Sequence, residues 1–153
     1  MGVRIIDTDK GYRQVLTNVR SLRGTVVRVG VNEEMHVARN GKASGLTNAA
    51  LGAIHEFGLG HVPQRSFIRA WVDENQRGVM RWLKEHLYRA LMGREAWADN
   101  FGKYAVEGIR ARINLGIPPP LEDETVRRKG HATPLIESEQ LVKAIEYDVV
   151  RLR

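Results

Sequence analysis

The sequence contains no cysteine. Disulfide bonds, thiolate nucleophiles and cysteine-ligated zinc sites are therefore excluded, and the chain is compatible with a reducing cytoplasm. No apolar run approaches the roughly 18 residues that a membrane-spanning helix needs, and the first residues, MGVRIID, lack the apolar stretch of a secretory signal. We therefore expect no membrane partner.

The remaining composition is that of a folded, soluble domain. The chain has 153 residues, of which 42% are hydrophobic and 27% charged, values typical of one globular domain. Its net charge of +6 would suit contact with a polyanion such as DNA. The basic residues are spread along the chain and match no nucleic-acid-binding motif, so a solvated basic surface is the alternative explanation of this charge.

The first third of the chain alternates helical and strand patterns. Apolar residues recur at helical spacing over 9–23 and predict an amphipathic helix with one apolar face. Thr25 to Val31 has the alternation of a strand, and Met35 to Ala38 is interpreted as a second strand. The polar, glycine-rich segment 39–46 predicts a mobile loop.

The middle of the chain is helical. A short helix over 48–57 is predicted, with Thr47 as its N-cap and Gly58 at its end. A long helix from about Phe67 to Met92 and a second helix over about 95–115 follow, and together they predict a helical hairpin.

The last part of the chain returns to a strand. Prolines at 118–120 stop the helix, and the polar segment 121–133 predicts a second mobile loop. A short helix containing Leu141 and Ile145 and a final strand over 146–152 follow. The expected fold is one α+β domain spanning residues 1–153, an antiparallel β-sheet with an N-terminal helix and a long helical hairpin packed against it.

One constellation resembles a catalytic motif. His55, Glu56 and His61 suggest the zinc-protease pattern, in which two histidines four residues apart on one helix bind one metal ion. Here the histidines are six residues apart with two glycines between them, so the geometry fails. We therefore expect no metal, with Glu56 pairing instead with a nearby arginine such as Arg65 or Arg69. A metal-dependent hydrolase remains the enzymatic alternative.

No other catalytic motif is present. The nucleophile elbow Gly-x-Ser-x-Gly and the phosphate-binding loop Gly-x-x-x-x-Gly-Lys-Ser/Thr are both missing. We expect no catalytic residue and no cofactor. The three tryptophans, at positions 71, 82 and 97, lie on predicted helices, where they are expected in the core or at a subunit interface.

Three segments together resemble a known family. They are residues 49–58 (AALGAIHEFG), 62–69 (VPQRSFIR) and 133–141 (TPLIESEQL). In this order and spacing they are similar to the virion morphogenesis and tail-completion proteins of tailed phages and prophages, which include head–tail joining proteins. Ser66 stands where that family usually has a second proline, and residues 137–139 replace its Asp-Thr-Gly.

The resemblance implies a structural protein with no enzymatic activity. It would assemble with copies of itself into a ring, expected to be hexameric, at the head–tail junction or the tail end of the virion after synthesis in the host cytoplasm. Its other partners would be phage neck and tail proteins, with non-specific DNA contact in the lumen. A tail terminator or minor tail protein is the alternative within this class, and a basic nucleic-acid-binding module is the alternative outside it.

The residues expected to matter are structural or belong to interfaces. We expect Ile54 and Phe57 to bury the face of the short helix and Phe67 to anchor the long one. Gly58 and Pro63 would set the path of the chain between them. The full set of candidates is Ile54, His55, Glu56, Phe57, Gly58, Pro63, Arg65, Phe67, Arg69, Pro134 and Leu135.

Overall fold

A computed structural model describes residues 9–32, 36–39, 42–120, 126–127 and 140–152, with side chains placed outside 36–39 and 42–44. Its elements, in chain order, are α1 (Tyr12–Leu22), β1 (Thr25–Val31), β2 (His36–Arg39), β3 (Lys42–Thr47), α2 (Asn48–Phe57), α3 (Ile68–Leu91), α4 (Trp97–Asn114), α5 (Gln140–Lys143) and β4 (Ile145–Arg151).

Two antiparallel strand pairs are formed. β1 pairs with β4 over seven residues, from Thr25 opposite Arg151 to Val31 opposite Ile145. β2 and β3 form a separate hairpin in which Arg39 lies opposite Lys42. The β1–β4 pair therefore joins segments more than 110 residues apart in the sequence, and it forms the central sheet of the domain.

α4 covers one face of the central sheet. Because side chains alternate between the faces of a strand, Val29 and Val31 of β1 share a face with Ile145 and Tyr147 of β4. This face packs against a core that α4, the start of α3 and α5 complete. The buried members of the core are Phe67, Trp71, Ala105, Val106, Ile109, Ile113, Ile117, Leu141 and Ile145.

Aromatic side chains hold α3 against α4. The rings of Trp71 and Trp82 lie 5.9 Å and 5.5 Å from that of Tyr104, measured between centroids. His86 stacks on Trp82 at 3.7 Å, and its Nδ1 contacts the Glu95 carboxylate just before α4. Stacked and edge-on aromatic pairs stabilise such an interface beyond the area they bury, so the predicted helical hairpin is confirmed.

The α+β class, the antiparallel sheet, the N-terminal helix and the helical hairpin are all as predicted. α1 contacts α3, where the Asn18 side chain donates a 2.7 Å hydrogen bond to the carbonyl oxygen of Leu91. None of the residues of α1 is buried.

Two local predictions need correction. Segment 39–46 was predicted as a loop, but Arg39 ends β2 and 42–46 belong to β3. β2 and β3 lie only two residues apart in the sequence, and polar composition alone does not distinguish such a hairpin from a loop. Ile145 begins β4 instead of lying in the short helix. The predicted loop 121–133 lies outside the described residues except for 126–127.

Candidate functional site

The predicted motif residues meet where α2 ends and α3 begins. Glu56, in the last turn of α2, is only 7% exposed. Its carboxylate accepts hydrogen bonds from the Ser66 hydroxyl at 2.6 Å and from three successive backbone N–H groups, those of residues 67, 68 and 69, at 2.7, 3.0 and 3.0 Å. One side chain of α2 thus holds the first turn of α3.

This arrangement solves a general problem of helix ends. The first N–H groups of an α-helix have no partner within the helix and carry partial positive charge. α3 has no capping side chain at its N-cap, Phe67. Glu56 supplies the cap from another helix, while the Ser66 hydroxyl accepts from the N–H of Ala70 at 3.2 Å. The four N–H groups of residues 67–70 are therefore all satisfied by these two side chains.

The residues that start and end α2 set the position of Glu56 in the fold. Thr47 caps α2 by accepting a 3.1 Å bond from the N–H of Ala50. Gly58 ends α2 at φ +67°, and a side chain there would lie 2.9 Å from Gln64. The turn is closed by the N–H of Arg65, which donates to the carbonyl oxygen of His55 at 2.8 Å. Both predicted ends of α2 are confirmed, and Gly58 is required because only glycine readily adopts this conformation in such close contact.

The predicted pairing of Glu56 with an arginine is wrong. Among the ion pairs of the described residues, none includes Glu56. Burial raises the pKa of the carboxyl, but the hydrogen bonds from Ser66 and from the backbone of residues 69, 67 and 68 outweigh it, so its pKa is lowered overall. Glu56 therefore remains a carboxylate, and backbone N–H groups take the place of the expected guanidinium.

Arg65 has a different role from the one expected. It is 5% exposed, and its guanidinium donates to the carbonyl oxygens of Pro119 and Pro120 at 2.8 and 3.1 Å. Burial lowers the pKa of Arg65, although an arginine so shifted is still cationic at neutral pH. These charge-assisted bonds tie the beginning of α3 to the proline-rich segment after α4.

The junction where Glu56 of α2 caps the first turn of α3 is called the corner below. Beside it lies an apolar groove of about 470 Å³. Val31, Ala49, Gly52 and Ala53 line it together with Glu56, Phe57, Phe67, Ile68 and Arg69. Phe67, which was expected to anchor the long helix, is fully buried. Phe57 was predicted to be buried, but it is 60% exposed. Helical periodicity places Phe57 on an apolar face without indicating whether another element covers that face.

Among the remaining candidates, Arg69 donates its backbone N–H to Glu56 and also lines the groove. Ile54 and His55 are half-buried, and Pro63, His61 and Arg69 are exposed on the turn and on α3. Pro134 and Leu135 lie outside the described residues. Within the described part of the chain no group of three metal-ligating side chains is found, and the Glu56 oxygens that a metal would need already accept four hydrogen bonds.

Sequence reasoning missed two residues that shape this region. Ser66 was considered only as a departure from the family pattern, although a serine just before a helix is a common cap. Arg110 of α4 donates to the carbonyl oxygens of Val142 and Ile145 at 3.0 and 2.8 Å, and so fixes the junction of α5 and β4. No sequence signal marks Arg110, because its acceptors are backbone atoms more than thirty residues away.

Comparisons of the chain with protein-family models, curated proteins and solved structures each find no match. Over the described ranges, every helix is too short or too polar to cross a bilayer.

Acid is expected to weaken the corner. Because the pKa of Glu56 is lower in the folded than in the unfolded chain, its contribution to stability is complete above the ordinary glutamate pKa and is lost as the pH falls through the folded value. Urea unfolding of the wild type from pH 6 to pH 3 should thus show a steeper loss of stability than unfolding of Glu56→Gln.

The difference in acid sensitivity between wild type and Glu56→Gln isolates the contribution of Glu56. The pKa of Glu95 is also lowered, by hydrogen bonds from Asn100 and His86 and by the charges of His86 and Arg89. Glu95 therefore adds acid sensitivity of the same sign to both proteins. Equal slopes in wild type and Glu56→Gln would contradict the assignment of a stabilising charge to Glu56.

Proposed function

We propose that the chain is a structural assembly protein of a tailed bacteriophage or prophage, acting without catalysis in a ring of copies, six by expectation, at the head–tail junction. The observation that carries this proposal is the use of Glu56. In the pattern that most resembles a catalytic motif, this carboxylate accepts four hydrogen bonds that hold the first turn of α3 against the end of α2. The family resemblance of the three sequence segments supports the same conclusion.

Exposed apolar side chains support a role in assembly. On α1, Tyr12 is 70% exposed, and Leu16 and Val19 on the same face are also exposed. On α3, which α1 contacts, Met80 and Tyr88 are 66% and 61% exposed. Large apolar side chains concentrated on neighbouring helices are typical of protein–protein interaction surfaces. Neighbouring phage proteins, or further copies of the chain, are the partners that a virion neck would offer.

Exposed cations on α3 support the proposal of contact with DNA in the ring lumen. Arg77, Arg81 and Lys84 are exposed and follow one another at i, i+4 and i+7, so they share a helical face. Within the described ranges none of them forms an ion pair. Contact with phosphates through such a stripe would be independent of sequence and sensitive to salt.

The same three residues favour a second candidate, a basic nucleic-acid-binding module. The two candidates differ in what the isolated chain does. Tight binding of the monomer to a short DNA duplex at physiological salt would favour the module. A ring protein instead needs many copies around the duplex before its weak phosphate contacts add up.

Deletion of the gene from its parent phage tests the proposal. We expect filled heads and separate tails in lysates of the deletion mutant, because the protein that joins them is missing. Supplying the chain from a plasmid should restore joined particles, and the restored virions should contain it. Complete, infectious virions without the protein would contradict the proposal, and a defect confined to tail length would favour the tail-terminator alternative.

A further inference from the structure

The central sheet has two unpaired edges. In the described part of the chain it consists of β1 and β4 alone. Each strand pairs with the other on one side, and on its second side it pairs with no other strand among the described residues. An exposed strand edge carries a row of unpaired N–H and C=O groups, which are a template for adding another strand.

The register shows which backbone groups form each edge. Leu152 N–H donates to the Gly24 carbonyl at 2.8 Å, and Asn32 N–H donates to the Ala144 carbonyl at 2.7 Å. In an antiparallel pair the hydrogen-bonded positions recur every second residue. The even-numbered residues of both strands therefore bond across the sheet, and the odd-numbered residues direct their N–H and C=O groups outward.

The outward groups of Val27 and Val29 form the open edge of β1, and those of Tyr147 and Val149 form the open edge of β4. One outward group is already occupied, because the Ile145 carbonyl accepts from Arg110 at 2.8 Å. Beyond that position, the described chain provides no strand for either edge.

The two edges carry only part of the usual protection. Edge strands of monomeric proteins are commonly blunted by proline, by charged side chains (lysine above all), by bulges or by short length, or are covered by a helix or loop. β1 and β4 bear charged residues on their outer face, but each is seven residues long, pairs without a register shift and contains neither proline nor lysine. Such strands are expected to be covered in the functional state.

We propose that a second copy of this chain covers them, with the β4 edge of one subunit pairing with the β1 edge of the next. The choice of a second copy rests on the proposed ring function, while the open edges do not. The two edges differ, so the contact is heterologous and can continue from subunit to subunit until a ring closes. Strands then alternate as β1, β4, β1, β4, and every pair is antiparallel.

Charge complementarity between the two strands supports this choice of partner. On the outer face of the sheet β1 bears the exposed Arg28, whereas β4 bears the exposed Glu146 and Asp148. Within one chain Arg28 already pairs with Asp148 at 2.5 Å. A neighbouring β4 would offer β1 the same acidic residues from its other side.

A groove beside β4 supports the same geometry. It has a volume of about 290 Å³ and is bounded by Lys103, Val106, Glu107 and Arg110 of α4 together with Ile145, Glu146 and Tyr147 of β4. It opens next to the unpaired edge, where side chains of an added strand would need space.

Hydrogen exchange with residue resolution tests the proposal. The full chain would be exchanged as dilute monomer and as concentrated assembly, then returned to monomer conditions for readout. We expect the amides of Val27, Val29, Tyr147 and Val149 to be slowed about 100-fold or more by assembly. The inward amides of Val26, Arg28, Asp148 and Val150 should be protected in both states.

A pair of variants provides a second measurement. Val27→Pro removes one outward N–H group but no bond within the sheet, whereas Val27→Ala keeps that group. Val27→Pro should stay monomeric at concentrations where wild type and Val27→Ala assemble. Retained protection of the Arg28 and Asp148 amides would establish that Val27→Pro is folded. If Val27→Pro does not fold, hydrogen exchange of the assembled wild type tests edge pairing.

The outcomes separate the edge proposal from the proposed function. Assembly with the outward amides still exchanging fast would overturn edge pairing and leave a ring built through other surfaces. A wild-type chain that stays monomeric at every concentration would also overturn edge pairing. The proposed function is judged independently, by the heads and tails of the deletion mutant.

Discussion

Replacing Glu56 with alanine is expected to lower the free energy of unfolding by about 3 kcal/mol. The substitution leaves the N–H groups of residues 67–69 without their acceptor, and Phe67 is fully buried, so water cannot replace the carboxylate there. Each buried donor left unsatisfied costs roughly 1–3 kcal/mol. Urea unfolding followed by circular dichroism at pH 7 would measure the loss.

Glu85→Ala is the matched control for this prediction. Glu85 is also a helical glutamate, but it is exposed on α3 and enters no ion pair among the described residues. Its substitution should change stability by no more than about 0.5 kcal/mol. If Glu56→Ala were as stable as Glu85→Ala, the capping of α3 by α2 would be of no energetic consequence.

The parts of the fold that the sequence predicts well are those with local causes. Thr47 and Gly58 bound α2 through contacts within a few residues, so its limits were read correctly. The hairpin of α3 and α4 follows from apolar residues repeating at helical spacing over more than forty residues. β1 was found because its valines alternate, which is a property of the strand itself.

The parts that were missed depend on distant atoms. The partners of Glu56 are mainly backbone N–H groups eleven to thirteen residues later, and backbone atoms leave no mark in a sequence. Side-chain chemistry alone therefore predicts a nearby arginine as the partner. Arg65 likewise binds carbonyl oxygens more than fifty residues away. Phe57 was misjudged because periodicity defines a face and does not identify what covers it.

The corner explains why an acidic residue is suited to position 56. α3 is the element that bears both the exposed apolar residues Met80 and Tyr88 and the exposed stripe of cations. Fixing its first turn to α2 fixes the direction in which this long helix presents those side chains. In the proposed ring, the same orientation would be repeated in each subunit, so a cap that fixes the first turn of α3 would serve assembly. An amide or hydroxyl could not accept four donors at once.

Two glycine-to-alanine substitutions should change stability in opposite directions. At Gly102 of α4 a Cβ atom would lie 2.1 Å from Cδ2 and 2.3 Å from Cγ of Tyr147. Cγ is close to the backbone of β4 and cannot swing away easily, so α4 must separate from the sheet. We expect Gly102→Ala to destabilise the chain by about 2–3 kcal/mol, as overpacking in a well-packed core does.

At Gly78 of α3 the same substitution meets only the Tyr104 hydroxyl, at 3.7 Å, which is an ordinary contact. Alanine is favoured over glycine inside a helix by about 1 kcal/mol, so Gly78→Ala should stabilise the chain by about that amount. Both variants gain the same helix propensity, and the difference between them therefore measures the close approach of α4 to β4. Thermal unfolding of the two variants beside wild type would show it. If Gly102→Ala were stabilised like Gly78→Ala, α4 could not pack on Tyr147 as closely as the structure has it.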